Sequence, residues 1–403
     1  MKTKITNVQL FDGTGSDLTK TTILFDEKTI IGIGDKVKEE EADLVIDGDG
    51  LTCVPGLMDC HVHLTMNGSA DPFGESLGKT EADDAYKAYR NAQNQIESGV
   101  VTVRNVGSKA NVDIALRKAI ESGVVKGPRI LASGEPIVMT GGHGHTMAIE
   151  ADGVDEVRKA ARTQLKKGAD LLKLMATGGV MTPGVDPNSP QLGEDELSCA
   201  CTEASNAGKT TAAHAQGVEG IKNAIRAGIT TVEHGIYLDE EAIDMMLERG
   251  TYLVPTLAAP FNIVERGLDE GIPEHAVQKA ERVMGDHVKS FYKAYERGVK
   301  IAAGTDAGTP FNRHGDFVTE LELMVKNGMK HEDVLQSATK VAAEAMKIDS
   351  KTGTVEEGKL ADLLLVEGNP LEDISALRKV VKVFKEGECY VSKDVKEQSV
   401  VSK

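Results

Sequence analysis

Two histidines separated by a single valine, His61 and His63, close the run Pro-Gly-Leu-Met-Asp-Cys-His-Val-His-Leu at 55–64. In an extended chain residues i and i+2 point to the same face, so both imidazoles can face one metal ion. A surface strand that happens to carry two histidines would read the same way, so the pair needs company. Later β-like runs supply it. His214 closes Thr-Thr-Ala-Ala-His, His234 closes Thr-Thr-Val-Glu-His, and Asp306 closes Ala-Ala-Gly-Thr-Asp. Four runs thus deliver four histidines and a carboxylate to one end of the strands, whereas ordinary core histidines would scatter along them. Lys173 stands at the centre of Leu-Leu-Lys-Leu-Met. A buried ammonium is costly without a partner, so this lysine either snorkels to the rim or meets a compensating group.

The elements that position these residues alternate in type. Candidate strands are 57–61, 101–106, 129–133, 171–175, 210–214, 230–234, 252–256 and 300–305. Amphipathic helical stretches lie between most of them, at 81–98, 154–167, 194–207, 218–227 and 239–248. Gly99, Gly168, Gly208, Gly228 and Gly250 stand where these helices stop, as a left-handed C-cap requires. Eight strand–helix units in series predict an α/β fold, a (β/α)8 TIM-type barrel, whose chemistry sits at the C-terminal ends of the strands. The competing open sheet lacks a Gly-x-Gly-x-x-Gly after the first strand. Both chain ends read as short strands with turns, and neither can bury a core alone. They are expected to pair into a small β-sandwich, giving a domain of 1–56 plus 358–403 beside a barrel of 57–357. The polar tail 391–403 is expected to fray.

With 403 residues and 40% hydrophobic composition, the chain can bury a large core. Its charge of −17 argues against nucleic acid and against an anionic membrane surface. Five cysteines are too few, and odd in number, for a disulfide framework, and Cys199-x-Cys201 is read as packing. No stretch is long and apolar enough to span a bilayer and the first residues carry no signal-like core, so a cytoplasmic protein is expected.

The 55–64 run, Lys173 in Leu-Leu-Lys-Leu-Met-Ala-Thr-Gly-Gly-Val, His214, the Glu-His-Gly of 233–235 and the Gly-Thr-Asp-Ala-Gly of 304–308 together resemble the amidohydrolase superfamily. Thr-Gly-Gly-His-Gly-His at 140–145, Glu-His-Gly-Ile-Tyr at 233–237 and the His-Gly of 314–315 are similar to its prolidase-like branch of Xaa-Pro dipeptidases, metal-dependent carboxypeptidases and ochratoxinase-type amidases. The resemblance implies two divalent metal ions, usually Zn2+. His61, His63 and Asp306 would hold the first, His214 and His234 the second, and an N-carboxylated Lys173 would bridge them. It further implies that a hydroxide shared by the ions attacks an amide carbonyl while Asp306 passes its proton to the leaving nitrogen. Tyr237 would stabilise the oxyanion or a substrate carboxylate, and His143, His145 and His314 would contact substrate; for His143 and His145, in their glycine-rich turn, a loop clasp or a third metal site are the alternatives.

The implied substrate is a small molecule or short peptide with a free carboxylate: a dipeptide, a C-terminal residue or an N-acyl amino acid. A homo-oligomer is expected by the same resemblance. Two other readings compete. One is a mononuclear deaminase or imidazolonepropionase-like cyclic-amide hydrolase, which would have no use for Lys173. The other is a barrel without catalysis that serves assembly. His275, His287 and His331 are expected to be solvated, and the Pro-rich loop 181–190, with its Asp186, is expected over the rim.

Overall fold

The computed structural model describes residues 1–15, 17–393 and 397–399. Both chain ends contribute to one mixed sheet. Strand Leu363–Glu367, from the C-terminal end, pairs antiparallel with Leu51–Pro55, from the N-terminal end. The sheet divides along strand Lys2–Leu10. Residues 3–6 pair with Leu44–Asp47, and residues 9–10 pair with Leu51–Pro55. Asn7, at φ 60, stands at the break. The two halves fold over one another, so that Phe25 and Phe384 meet edge-on with ring centroids 5.3 Å apart. Ile5, Val8, Ile23, Ile46, Leu363 and Leu365 fill the space between the layers, as the alternation of apolar and polar residues in these strands dictates.

The tail departs from expectation. Residues 391–392 end the strand Glu388–Ser392, and Glu397–Ser399 pairs antiparallel with Leu44–Asp47. Lys382, 1% exposed, donates to Ser392 and makes an ion pair with Glu397. A buried ammonium that needs an anion is a reason for this polar segment to dock. Residues 400–403 lie outside the described residues.

The middle of the chain forms two parallel arcs. Leu57–Val62, Val100–Asn105 and Arg129–Ala132 make one. Leu171–Met175, Thr210–Ala215, Thr231–His234 and Tyr252–Val254 make the other. Asp170 N donates to Ala132 O at 2.8 Å, which joins the arcs on one side. On the other side the segment 300–307 closes the ring. Ala302 N donates to Leu253 O at 2.9 Å, Cys60 N to Ala303 O at 2.9 Å, and Asp306 N to His61 O at 2.8 Å. This is the barrel, with one difference from expectation: the eighth position is a bridging segment, not a regular strand. At Gly304 a Cβ would stand 2.6 Å from Val254 and 2.9 Å from His61, so the ring closes only because this residue has no side chain.

The helices match the sequence reading within a residue or so: Glu81–Glu97, Gly153–Lys167, Glu194–Asn206, Val218–Arg226 and Glu240–Arg249. Gly168 (φ 101) and Gly250 (φ 68) cap two of them in the left-handed conformation. All five cysteines are unpaired; Cys201 is buried in the helix Glu194–Asn206, and Cys199 beside it is half-buried.

Candidate active site

The six candidate residues converge on one cavity of about 60 Å³, lined by His61, His63, Lys173, His214, His234 and Asp306. Asp306 Oδ1 lies 3.4 Å from His61 Nε2 and 3.2 Å from His63 Nε2. Ring centroids are 5.1 Å apart for His61 and His234, and 4.5 Å for His214 and His234. One potential ligand atom each from His61, His234 and Asp306 falls within 4.8 Å of the others. Lys173, 1% exposed, sits among them with no hydrogen-bond partner for its Nζ among the described residues.

The backbone bends to achieve this convergence. His234, Thr256 and Asp306 have φ of 71, 53 and 61, the left-handed region that non-glycine residues avoid at a cost of about 1–2 kcal/mol each. Strand alternation would send Glu233 and His234 to opposite faces. The turn at His234 lets both side chains reach His61.

Each of these four candidate-ligand imidazoles has one nitrogen tied to the protein. His61 Nδ1 donates to Glu233 Oε2 at 2.7 Å, His63 Nδ1 to Gly107 O at 3.2 Å, and His214 Nε2 to Gly178 O at 2.8 Å. His234 Nδ1 lies 2.7 Å from Thr256 Oγ1, whose own hydrogen goes to Pro255 O, so the imidazole donates here too. In the neutral rings the second nitrogen of each is therefore a bare lone pair: Nε2 of His61, His63 and His234, and Nδ1 of His214. Fixing the tautomer from behind is what a metal-binding histidine requires. Burial pushes His214 and His234 well below the ordinary imidazole range, which keeps them neutral.

The charged groups form a second tier. Burial alone would raise Glu233, but Arg104 at 2.8 Å and the His61 hydrogen bond hold it down at about 2. Arg104, fully buried, also donates to Cys60 O at 2.6 Å and Thr231 Oγ1 at 3.0 Å. Asp306 is likewise opposed by burial; a second proton on His61 or His63, standing where a cation would, is what holds it well below the usual carboxylate range. Burial lowers Lys173 to about 8, against the pull of Glu233 and Asp306. Asp59 accepts from His61 N at 3.1 Å and Thr305 Oγ1 at 2.6 Å, locking the first strand to the closing segment.

The remaining candidates occupy different places. His143 lines the cavity with its ring 4.4 Å from that of His214, and its Nδ1 faces Thr182 Oγ1 at 2.9 Å. His145 lies outside the lining and donates from Nδ1 to Gly142 O at 3.0 Å. His314 is buried behind the rim, with Nε2 3.0 Å from Met66 O and 3.2 Å from His63 O. Tyr237 packs with the cluster of Val180, Met181 and Ile263 and is not among the lining residues.

His287, expected to be solvated, is buried and lines the cavity. A signal existed: it shares the helical spacing of Ala276, Ala280, Val283 and Ala294, the buried face of Glu274–Arg297. His275 is half-buried, with Nε2 2.9 Å from Met181 O, and His331 is also half-buried. Arg104 and Glu233 were not assigned roles from the sequence. Arginine inside Val-Thr-Val-Arg-Asn carried the same signal as Lys173, a long cation within an apolar strand. The outer wall of the cavity is apolar, including Met66, Phe73, Met175, Val180 and Met181.

The profile of the amidohydrolase family matches residues 52–389. The chain is an amidohydrolase. Ochratoxinase from Aspergillus niger is 31% identical over 370 residues, covering 84% of this chain and 75% of that protein. A Xaa-Pro dipeptidase, whose crystal structure holds methionine in its active site, superposes with a TM-score of 0.89 at 38% identity. That match covers 97% of this amidohydrolase and 100% of the dipeptidase chain. A prolidase complexed with N-methylphosphonate-L-proline gives a TM-score of 0.91 at 30% identity, covering 98% and 100% of the two chains. The prolidase-like branch of the amidohydrolases is therefore where this hydrolase belongs. Among its described residues no helix is long and apolar enough to cross a membrane.

Proposed function

We propose that this amidohydrolase cleaves an amide or peptide bond of a dipeptide, a C-terminal residue or an N-acyl amino acid at a two-metal centre. The observation that carries the reading is Lys173: a long amine, buried, unpartnered, and ringed by four imidazoles and a carboxylate. The donor set fits two divalent ions, with zinc the expected choice for imidazole and oxygen ligands. His61, His63 and Asp306 would hold one, His214 and His234 the other, and Lys173 would bridge them as its carbamate. When bound, such ions supply Lewis acidity and a lowered pKa for water.

Carboxylation accounts for the lysine's burial. Its amine, depressed to about 8, is readily available in the neutral form that attacks CO2. The N–C bond forms as one C=O π bond of CO2 opens onto oxygen, the nitrogen gives up one proton, and the neutral amine becomes a carbamate anion. Asp306, adjacent to both His61 and His63, would accept the proton of the attacking water and return it to the leaving nitrogen. Amines leave poorly unless protonated, which gives this carboxylate its task. His143 would contact the substrate from the cavity wall. Lys173 is the one ammonium or guanidinium among the described lining residues. A substrate carboxylate would therefore lie beyond these residues, on the side of Tyr237, which packs with the lining residues Val180, Met181 and Ile263. A homo-oligomer in the cytoplasm is part of the same proposal.

Metal analysis of protein purified without chelator, followed by a panel of dipeptides and N-acyl amino acids, tests the reading. Close to two ions per chain and amide cleavage are expected. One ion per chain together with deamination would overturn it in favour of the mononuclear alternative.

A further inference from the structure

His287 reaches the cavity from the helix Glu274–Arg297 and is 1% exposed. Its Nε2 lies 3.0 Å from the backbone oxygen of His234 and 2.7 Å from that of Pro255. Carbonyl oxygens only accept, so Nε2 carries a proton and donates to both. In the neutral ring that leaves Nδ1 as a bare acceptor. This Nδ1 is buried and has no partner among the described residues. A doubly protonated ring would instead place an unmatched N–H there, with nothing to receive it. Buried acceptors without donors are rare and costly in folded proteins, and the ring that carries this one lines the cavity, so the missing donor can come from whatever fills it.

We propose that His287 is a specificity-determining residue whose Nδ1 accepts a hydrogen bond from an N–H or O–H of the bound amide, within a few bonds of the scissile carbonyl. The proposal rests on the amide-hydrolase reading above. The proximity follows from the other edge of the ring, which holds the backbone carbonyl of the candidate ligand His234. Ile236, Ala259, Pro260 and Ile263 also line the cavity and offer no side-chain donor. A substrate that presents a methyl group at this point both loses the hydrogen bond and leaves the acceptor stranded. A site built this way discriminates against the analogue lacking the donor.

The test uses the full chain loaded with zinc and two matched pairs of peptides. Met-Ala is compared with its scissile N-methyl amide, and with its form trimethylated at the α-amine, which carries no N–H. In at least one pair the donor-bearing peptide should have a kcat/KM about 10-fold or more above its methylated partner. His287→Phe should bring that ratio close to one. His287→Gln, whose amide can donate to the carbonyls and still offer an oxygen, should keep it. A ratio unchanged in His287→Phe would overturn the proposal, because a merely structural histidine slows both peptides alike. Independently of activity, 15N NMR of histidine-labelled protein should show His287 as the Nε2–H tautomer, and finding the Nδ1–H tautomer would overturn the proposal even if the phenylalanine variant fails to fold. Cleavage of no amide by the parent enzyme would sink the hydrolase reading, and the tautomer would still decide what His287 offers.

Discussion

Glu233 Oε2 lies 2.7 Å from His61 Nδ1, while its Oε1 lies 2.8 Å from Arg104 Nη2, all three side chains being fully or almost fully buried. One carboxylate thus orients a candidate metal ligand and neutralises the arginine that runs through the barrel interior. Glu233→Gln keeps the shape but halves the charge match. Apparent zinc affinity, measured by competition with a chromophoric chelator, should fall about 10–100-fold, as when the partner behind a metal-bound histidine is lost. Thermal stability should fall too, since Arg104 is left as a buried charge without its anion. Unchanged zinc affinity would mean that Glu233 serves Arg104 alone.

Lys173→Ala removes a buried amine that has no hydrogen-bond partner among the described residues. The variant should retain fewer than two ions per chain and lose turnover. Short carboxylates such as acetate or propionate should restore part of both, because they can occupy the space of the carbamate. Retention of two ions and full activity would show the lysine to be structural.

The strand ends were legible because chemistry repeats there: a polar residue at the close of an apolar run is conspicuous once, and more so in several runs of one chain. Lys173 was legible for the opposite reason, a charge where a charge does not belong. Arg104 carried that same signal, but the partners that give it a role, Thr231 and Glu233, lie far from it in sequence. The left-handed turns at His234, Thr256 and Asp306 were not legible at all. Nothing local in Glu-His-Gly or Gly-Thr-Asp dictates φ > 0; the ring of hydrogen bonds across strands imposes it. The bridging segment at 300–307 was hidden likewise, because its β-like composition is real and only closure of the barrel limits its pairing. His287 shows a third kind of gap. Its helical spacing points inward, against the expectation of a solvated side chain, and only the carbonyls of His234 and Pro255, distant in sequence, fix which nitrogen it presents.

Asp306→Asn should separate binding from chemistry. The amide can still occupy the position between His61 and His63, but it cannot carry a proton between nucleophile and leaving group. We expect kcat to fall by about 10²–10⁴, the usual range for loss of a general acid–base group, with a smaller change in KM. Steady-state assays at matched zinc content check this. The contrast should shrink for substrates with better leaving groups, such as anilides bearing electron-withdrawing substituents, because these need less protonation. An equal loss for all leaving groups would mean that Asp306 matters as a ligand and not as a shuttle.

Asp113 offers a stability test away from the metal centre. It is fully buried and accepts from Gly134 N at 3.0 Å, Ile114 N at 2.9 Å and Asn105 Nδ2 at 2.9 Å. Burial outweighs these bonds and raises it to about 6, from an ordinary value of 3.8. The fold therefore prefers the neutral acid. Its contribution is fully present below the unfolded pKa, near 4, and is lost as pH rises through about 6. A shift of this size corresponds to roughly 2–3 kcal/mol between those limits. Asp113→Asn cannot ionise, so it should gain on the parent as pH rises from 4 to 7, whatever fixed offset the new amide introduces. Calorimetric melting temperatures of both proteins across that range decide the matter. A gap between the two that stays constant with pH would show that the carboxyl group ionises in the fold as easily as in water.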